Sequence, residues 1–251
     1  MPTSSRRAFI ASSLATLPML SAGAERPSRT EHTQKLHVVC VGGHPDDPES
    51  GCGGTLARYA ALGHRVTIVY LTRGERGIPG KSLAEAAAIR TAEAERACQM
   101  IGATPVFAGQ IDGATEVNGD QTRRFTELLE SARPDLVFTH WPIDTHLDHQ
   151  VASLLTFRAV LALRHAFPVF YFEVNAGDQT RGFVPTIFVD IGSVRETKKR
   201  ALVAHVSQDG EAIYRQHHEP MEGFRGREAG CAAAEAFARL TQPLGPLPVE
   251  G

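Results

Sequence analysis

The chain has 251 residues, 42% of them hydrophobic, a length that suits one α/β domain with a full core better than two complete domains. Its formal net charge is only −2, and basic and acidic residues are interspersed with no basic stripe or aromatic-interleaved patch. That excludes an electrostatic nucleic-acid surface, and beyond the N-terminus no apolar run is long enough to span a membrane. In chain order, the first feature is Arg6-Arg7-Ala8-Phe9-Ile10, ahead of a modest apolar stretch over 8–20 that closes with Ala22-Gly23-Ala24. This pattern predicts a twin-arginine signal peptide over 1–24, recognition by the Tat export machinery, and a periplasmic or secreted location. A polar, flexible linker over 25–35 leads into a folded domain over 36–242, with a short tail over 243–251. Within the domain the pattern predicts a strand over 36–41, a helix over 51–62, a buried strand over 66–70 and a long Ala-rich helix over 82–101. A short strand near Val106, a helix over 120–132 and a strand over 136–139 follow. The segment 146–167 is helical after its first turn, 169–172 and 186–190 read as strands, and 194–204 and 228–240 as helices. This alternation predicts an α/β fold: a single Rossmann-like domain, a mostly parallel sheet flanked by helices, and an active site at the carboxyl edge of the strands.

Two polar clusters fall at predicted strand ends. His44-Pro45-Asp46-Asp47 follows the first strand, and His146-Leu147-Asp148-His149 follows the strand over 136–139. Two histidines and a carboxylate can hold a catalytic metal, with a second carboxylate left for proton transfer. Pro48 disfavours a helical Asp47, so Asp47 is expected as the N-cap of the next helix with Pro48 as its first residue. Gly51, Gly53 and Gly54 give that turn a bare surface. A dinucleotide site is disfavoured, because G-x-G-x-x-G is missing and the aspartates place negative charge where a pyrophosphate would sit. Cys40, Cys52, Cys98 and Cys231 are far apart and lack C-x-x-C spacing, so buried free thiols are the simplest reading.

His44-Pro45-Asp46-Asp47-Pro48-Glu49, Leu71-Thr72-Arg73-Gly74-Glu75, Arg90-Thr91-Ala92-Glu93-Ala94 and Asp144-Thr145-His146-Leu147-Asp148-His149 occur in a fixed order. That order resembles the LmbE/PIG-L family of zinc-dependent N-acetylglucosaminyl deacetylases. Later echoes are His205-Val206-Ser207-Gln208 and Arg225-Gly226-Arg227-Glu228, so the likeness covers nearly the whole domain. It implies Zn2+ as cofactor, with Fe2+ or another divalent ion also compatible, and His44, Asp47 and His149 as ligands. It also implies Asp46 as general base, His146 as stabiliser of the developing oxyanion, and Asp148 as the group favouring the charged form of His146. Arg90 matches a family arginine that approaches substrate, its rival reading being a solvated helix arginine paired with Glu93, and Arg73 and Arg76, at the glycine-rich segment 74–80, are either part of the pocket rim or ordinary loop charges. The implied substrate is an N-acetylglucosamine-containing sugar or glycoconjugate.

Pro48 replaces a more usual aliphatic residue and Leu147 stands where proline is common, departures that bear on specificity. His140 and Trp141 are left as residues that line the sugar pocket or simply pack, His205 without a role, and His217-His218 as a surface pair. The competing readings are an amidase for another acyl group or a thiol-sugar conjugate, a non-haem Fe(II) oxygenase, and a non-catalytic metal-containing sugar-binding protein.

Overall fold

A computed structural model describes residues 35–175 and 177–240. The expected signal peptide, all of the linker but Lys35, and the tail lie outside the described residues. The sheet grows outward from one strand, β1 (His37–Gly42), which is buried at every position. Its side chains alternate between two cores: Val38 and Cys40 enter one, Val39 and Val41 the other. Apolar residues on both faces are what a strand covered by helices on both sides requires.

β1 pairs in parallel with β2 (Arg65–Tyr70) on one side and β4 (Leu136–His140) on the other. β3 (Thr104–Phe107) extends the first side and β5 (Val169–Phe172) the second, again in parallel. β7 (Ala234–Arg239) then runs antiparallel to both β5 and β6 (Ile187–Asp190), giving a seven-stranded sheet in the order β3-β2-β1-β4-β5-β7-β6. Growth of the sheet changes direction between β1 and β4, so a crevice opens at their carboxyl ends. Helices α1 (Asp47–Ala61), α2 (Leu83–Ile101) and α5 (Arg195–Val203) pack together, while α3 (Gly119–Ala132) and α4 (Leu147–Ala162) form a second pair. Ser82 and Glu85 close a reciprocal capping box that fixes where α2 begins.

The expected order of elements up to α5 is present, with two corrections. Asp47 is the first residue of α1, not its N-cap; Asp46 holds the cap position. The Asp47 carboxylate turns back to accept the His44 backbone N–H at 2.7 Å, while the Asp46 carbonyl accepts from Ser50 N–H at 2.8 Å, so the first turn closes around Pro48. The second correction is at 228–240, which is not helical. Ala234, Ala236 and Ala238 alternate with Glu235, Phe237 and Arg239 in β7, and pairing on both edges overrides the helix propensity of alanine. The helical segment lies earlier: α6 (Gly210–Ile213), a π-helical turn over Tyr214–His218, and α7 (Glu219–Ala229). Its polar composition carries no apolar stripe from which a helix could be read. No helix among the described residues is long and apolar enough to cross a membrane, and Cys40, Cys52, Cys98 and Cys231 are free thiols.

β7 also ties the fold to its first helix. Glu235 accepts backbone N–H groups of Gly54 and Thr55 in α1, at 2.8 and 2.7 Å. Lys198 of α5, 2% exposed, places its Nζ 2.8 Å from Glu235 and 3.1 Å from Glu222. Removing one partner of such a group strands buried charge. Lys198→Met is therefore expected to destabilise the domain by about 3–5 kcal/mol, read from urea unfolding; a loss below ~1 kcal/mol would show that the two carboxylates find other partners.

Candidate metal centre and active-site cavity

The carboxyl ends of β1 and β4 open into a cavity of about 450 Å³. His44 enters it from the loop after β1, Asp47 from the first turn of α1, and His146 and His149 from the start of α4. Gly43 is required behind them, since a Cβ there would lie 2.9 Å from the His149 ring.

One carboxylate oxygen organises the floor. Asp47 Oδ2 lies 3.1 Å from His44 Nδ1 and 3.2 Å from His149 Nε2. The opposite nitrogen of each ring is held from outside: His44 Nε2 lies 3.0 Å from Asp148 Oδ2 and 3.3 Å from Asp112 Oδ1, and His149 Nδ1 lies 3.1 Å from Asp144 Oδ1. Outer carboxylates of this kind fix the tautomer and orientation of metal-binding imidazoles. The inner Nδ1 and Nε2 are thereby turned toward Asp47, and the donor set of two imidazoles and one carboxylate suits a divalent ion. Ligand atoms of His44, His146 and His149 also converge within 4.8 Å, as do those of Asp47, His140 and His149. His140 is committed elsewhere: its Nε2 accepts the Gly43 backbone N–H at 3.0 Å, and burial pulls its pKa down to about 4. His146 Nδ1 accepts the Asp148 N–H at 3.3 Å. Ligand atoms of His44, Asp112, His146 and Asp148 converge as well, and Asp47 Oδ2, lying between His44 and His149, joins the residues that the sequence resemblance implies as ligands.

Asp46 stands beside this set under strain. Its φ of 111° and ψ of −32° are costly for a residue with a Cβ, by roughly 1–3 kcal/mol. Arg90 of α2, only 3% exposed, holds the turn from behind. Its Nη2 donates to Asp46 Oδ2 at 3.0 Å and to the Pro45 carbonyl at 2.5 Å. Burial raises the Asp46 pKa, and Arg90 offsets part of that rise. A carboxylate shifted this way is a better proton acceptor than a solvated one.

The expected residues do not all take their expected places. Arg73 lies over the Phe107 ring, 5.0 Å from its centroid, and does not line the cavity; Arg76 lines it instead. Asp148 is directed at His44 rather than His146, and is locked by Gly113 N–H at 2.8 Å and Thr115 Oγ1 at 2.5 Å. Burial first, and then the charges of His44 and His149, lower the His146 pKa, while Asp47 and Asp148 offset part of that shift. Because Nδ1 accepts a hydrogen bond, the proton sits on Nε2, which is left as a donor. Arg90 grips Asp46 in addition to lining the cavity. His217 and His218 are not a surface pair: both line the cavity, and His218 is 3% exposed. Trp141 is packed against Tyr171 and Phe183, away from the cavity.

Sequence reasoning missed Asp112 and gave Asp144 no role of its own, while Arg76, a pocket-rim candidate beside Arg73, does line the cavity. Asp112-Gly113 follows β3 on the carboxyl edge, a position that signals a site residue once the strand order is known. His205 is buried, with Nε2 3.3 Å from Glu49 Oε1, and Ser207 binds Glu93 of α2 through its N–H at 2.8 Å and hydroxyl at 2.6 Å. The late His205-Val206-Ser207-Gln208 motif thus anchors the helix that carries Arg90.

A Cβ added at Gly77 would collide with Arg90 Nη1. Gly77→Ala is expected to displace Arg90, free the Asp46 carboxylate and lower turnover by about tenfold or more with metal content retained; wild-type turnover would show that Arg90 does not set the position of Asp46. A second expectation concerns acid. Burial, reinforced by Lys198 and His217, lowers the His218 pKa from 6.5 to about 3. Below pH ~6.5 the unfolded chain binds a proton that the folded chain refuses, so His218 stabilises the fold at higher pH and this contribution is lost as pH falls toward about 3. The pH slope of the urea midpoint should flatten in His218→Asn, and identical slopes would refute the assignment.

The model of a family described as "GlcNAc-PI de-N-acetylase" (PIG-L) matches residues 39–160. The diacetylchitobiose deacetylase of Thermococcus kodakarensis is 30% identical over 198 residues, covering 70% of this chain and 72% of that protein. The 4-oxalmesaconate hydratase of Pseudomonas putida is 26% identical over 203 residues, covering 73% and 78%. Among solved structures, the N,N'-diacetylchitobiose deacetylase of Pyrococcus horikoshii superposes with a TM-score of 0.72 at 24% identity, over 82% of this chain and 84% of that one, a likeness of fold. With a His/Asp cluster from its two motifs that could hold a metal and a relative 30% identical over 198 residues, the chain belongs to the PIG-L (LmbE) family.

Proposed function

We propose that the protein is a zinc-dependent N-deacetylase that hydrolyses the N-acetyl amide of an N-acetylglucosamine-containing sugar or glycoconjugate, releasing acetate and a free amine. The observation that carries this reading is the half-buried Asp46, clamped by Arg90 at 3.0 Å, directly preceding Asp47 of a His/Asp cluster that could hold a metal. The deacetylase relative supports amide chemistry on an amino sugar. Zinc held by His44, Asp47 and His149 would supply Lewis-acid polarisation of the acetyl carbonyl and make water more acidic.

The chain's own groups supply the remaining steps. Asp46 accepts a proton from the attacking water as the oxygen bonds to the acetyl carbon. His146 donates its Nε2–H to the carbonyl oxygen as negative charge builds there, a stabilisation that needs no imidazolium. Asp46 then returns the proton to the amide nitrogen as the carbon–nitrogen bond breaks, because an amine leaves poorly unless protonated. A hydratase reading shares the activation of water and is favoured by the Pseudomonas relative. Acetate release separates the two.

Zinc-loaded protein should release acetate from at least one member of a panel of N-acetylglucosamine glycosides and chitooligosaccharides, lose this on chelation, and regain it with zinc. Asp46→Asn should lower kcat by roughly 10²–10⁴-fold with zinc stoichiometry intact. Turnover unchanged in that variant overturns Asp46 as the base, and no acetate from any amide in the panel overturns the deacetylase reading.

A further inference from the structure

The cavity divides into a region whose charges are satisfied and a region whose charge is not. Its acidic lining residues are Asp46, Asp47 and Asp112, and each has a basic partner: Arg90 for Asp46, His44 and His149 for Asp47, and His44 for Asp112. Arg90 commits its Nη2 to both Asp46 and the Pro45 carbonyl, so its charge is paired. Arg76 is different. Its backbone N–H donates to Asp112 Oδ2 at 3.0 Å and its Nε to the Asp112 carbonyl at 2.7 Å, so one edge of the guanidinium is pinned. Among the described residues no acidic group pairs with its two Nη groups, and Arg76 lines the cavity. His217 lines the same cavity, half-buried, and also lacks an acidic partner among the described residues.

Two further features bear on what such a wall recognises. Among the described residues the lining contains no Phe, Tyr or Trp, so these offer no indole or phenyl face for a sugar ring to stack on. A volume of about 450 Å³ is at the small end of ligand pockets, with room for one amino sugar and one attached group rather than a polymer run. Recognition therefore rests on hydrogen bonds and charge. A guanidinium fixed along one edge and open on the other presents two parallel N–H groups, the arrangement that carboxylates and phosphates accept in bidentate fashion.

We infer that Arg76, with its Nη groups unpaired at the wall of the metal-centre cavity, is a specificity residue that binds an anionic group, phosphate or carboxylate, on the amino sugar or on the substituent joined to it. The inference rests on the deacetylase reading for the amino sugar and narrows its substrate class to acidic ones. Arg76 comes from the Gly74–Gly80 turn, which is fixed in turn by Gln208 Nε2 on the Gly77 carbonyl at 3.1 Å.

The test is titration calorimetry on zinc-loaded protein with N-acetylglucosamine 1-phosphate, N-acetylglucosamine 6-phosphate, a carboxymethyl N-acetylglucosaminide and neutral N,N'-diacetylchitobiose. At least one anionic probe should bind about tenfold or more tighter than the neutral one, and Arg76→Gln should remove most of that preference. Arg76→Lys, which keeps the charge but loses the fork, should retain part of it and lose most for the carboxylate. The phosphate and carboxylate arms identify which anion is read. Equal affinity for neutral and anionic probes in the wild type, or a preference that survives Arg76→Gln, overturns the inference. Because binding is measured apart from turnover, acetate release without an anionic preference sinks this inference alone. An Arg76-dependent preference without acetate release from any probe sinks the deacetylase reading alone.

Discussion

Asp47 Oδ2, lying 3.1 Å from one imidazole nitrogen and 3.2 Å from another, is the contact on which the rest of the site depends. A single carboxylate oxygen can meet both rings only if the loop after β1 and the first turn of α4 are brought to the same point. The sheet does this by changing its direction of growth between β1 and β4, which places their carboxyl ends side by side. The outer carboxylates Asp144 and Asp148 then turn the rings so that the opposite nitrogens face inward. Each layer has a mechanical role. The sheet sets position, the outer carboxylates set rotation, and Asp47 sets the meeting point.

The same arrangement explains why Asp46 tolerates a positive φ. Asp46 and Asp47 both line the cavity, one from the cap position and the other from the first residue of α1. Arg90, reaching across from α2 to Pro45 and Asp46, holds the turn in that state. Strain at the base is thus offset by hydrogen bonds from a different helix, and the glycines at 74 and 77 give the guanidinium its space. Sequence neighbours Asp46 and Asp47 come to do unlike work because one is gripped by arginine and the other by histidines.

Much of this was legible from residue order. The alternation of apolar runs exposed the parallel part of the sheet, and the two motifs at strand ends exposed His44, Asp46, Asp47, His146 and His149. What stayed hidden depends on contacts between distant segments. Asp112 joins the site only because β3 ends on the same edge as β1, and nothing in Gln110-Ile111-Asp112 announces it. The partner of Asp148 was misassigned because nearness in sequence favours His146, whereas the fold brings His44 across more than a hundred positions. β7 was hidden by its alanines, which favour a helix locally and become a strand only between two waiting edges. His218 looked superficial because a π-helical turn, which leaves no reliable pattern in sequence, rotates it inward.

The hold of Glu235 on Gly54 and Thr55 spans about 180 positions of sequence. It couples the first helix, which carries Asp47, to a strand near the end of the chain. During synthesis His44, Asp47 and His149 emerge well before that strand does. A nascent chain that ends before β7 has His44, Asp47 and His149 but no carboxylate to seat α1 beneath them. Long-range closure of this kind is slow relative to local helix formation. The seat of the first helix is thus completed only when β7 has been made, after His44, Asp47 and His149 have all emerged.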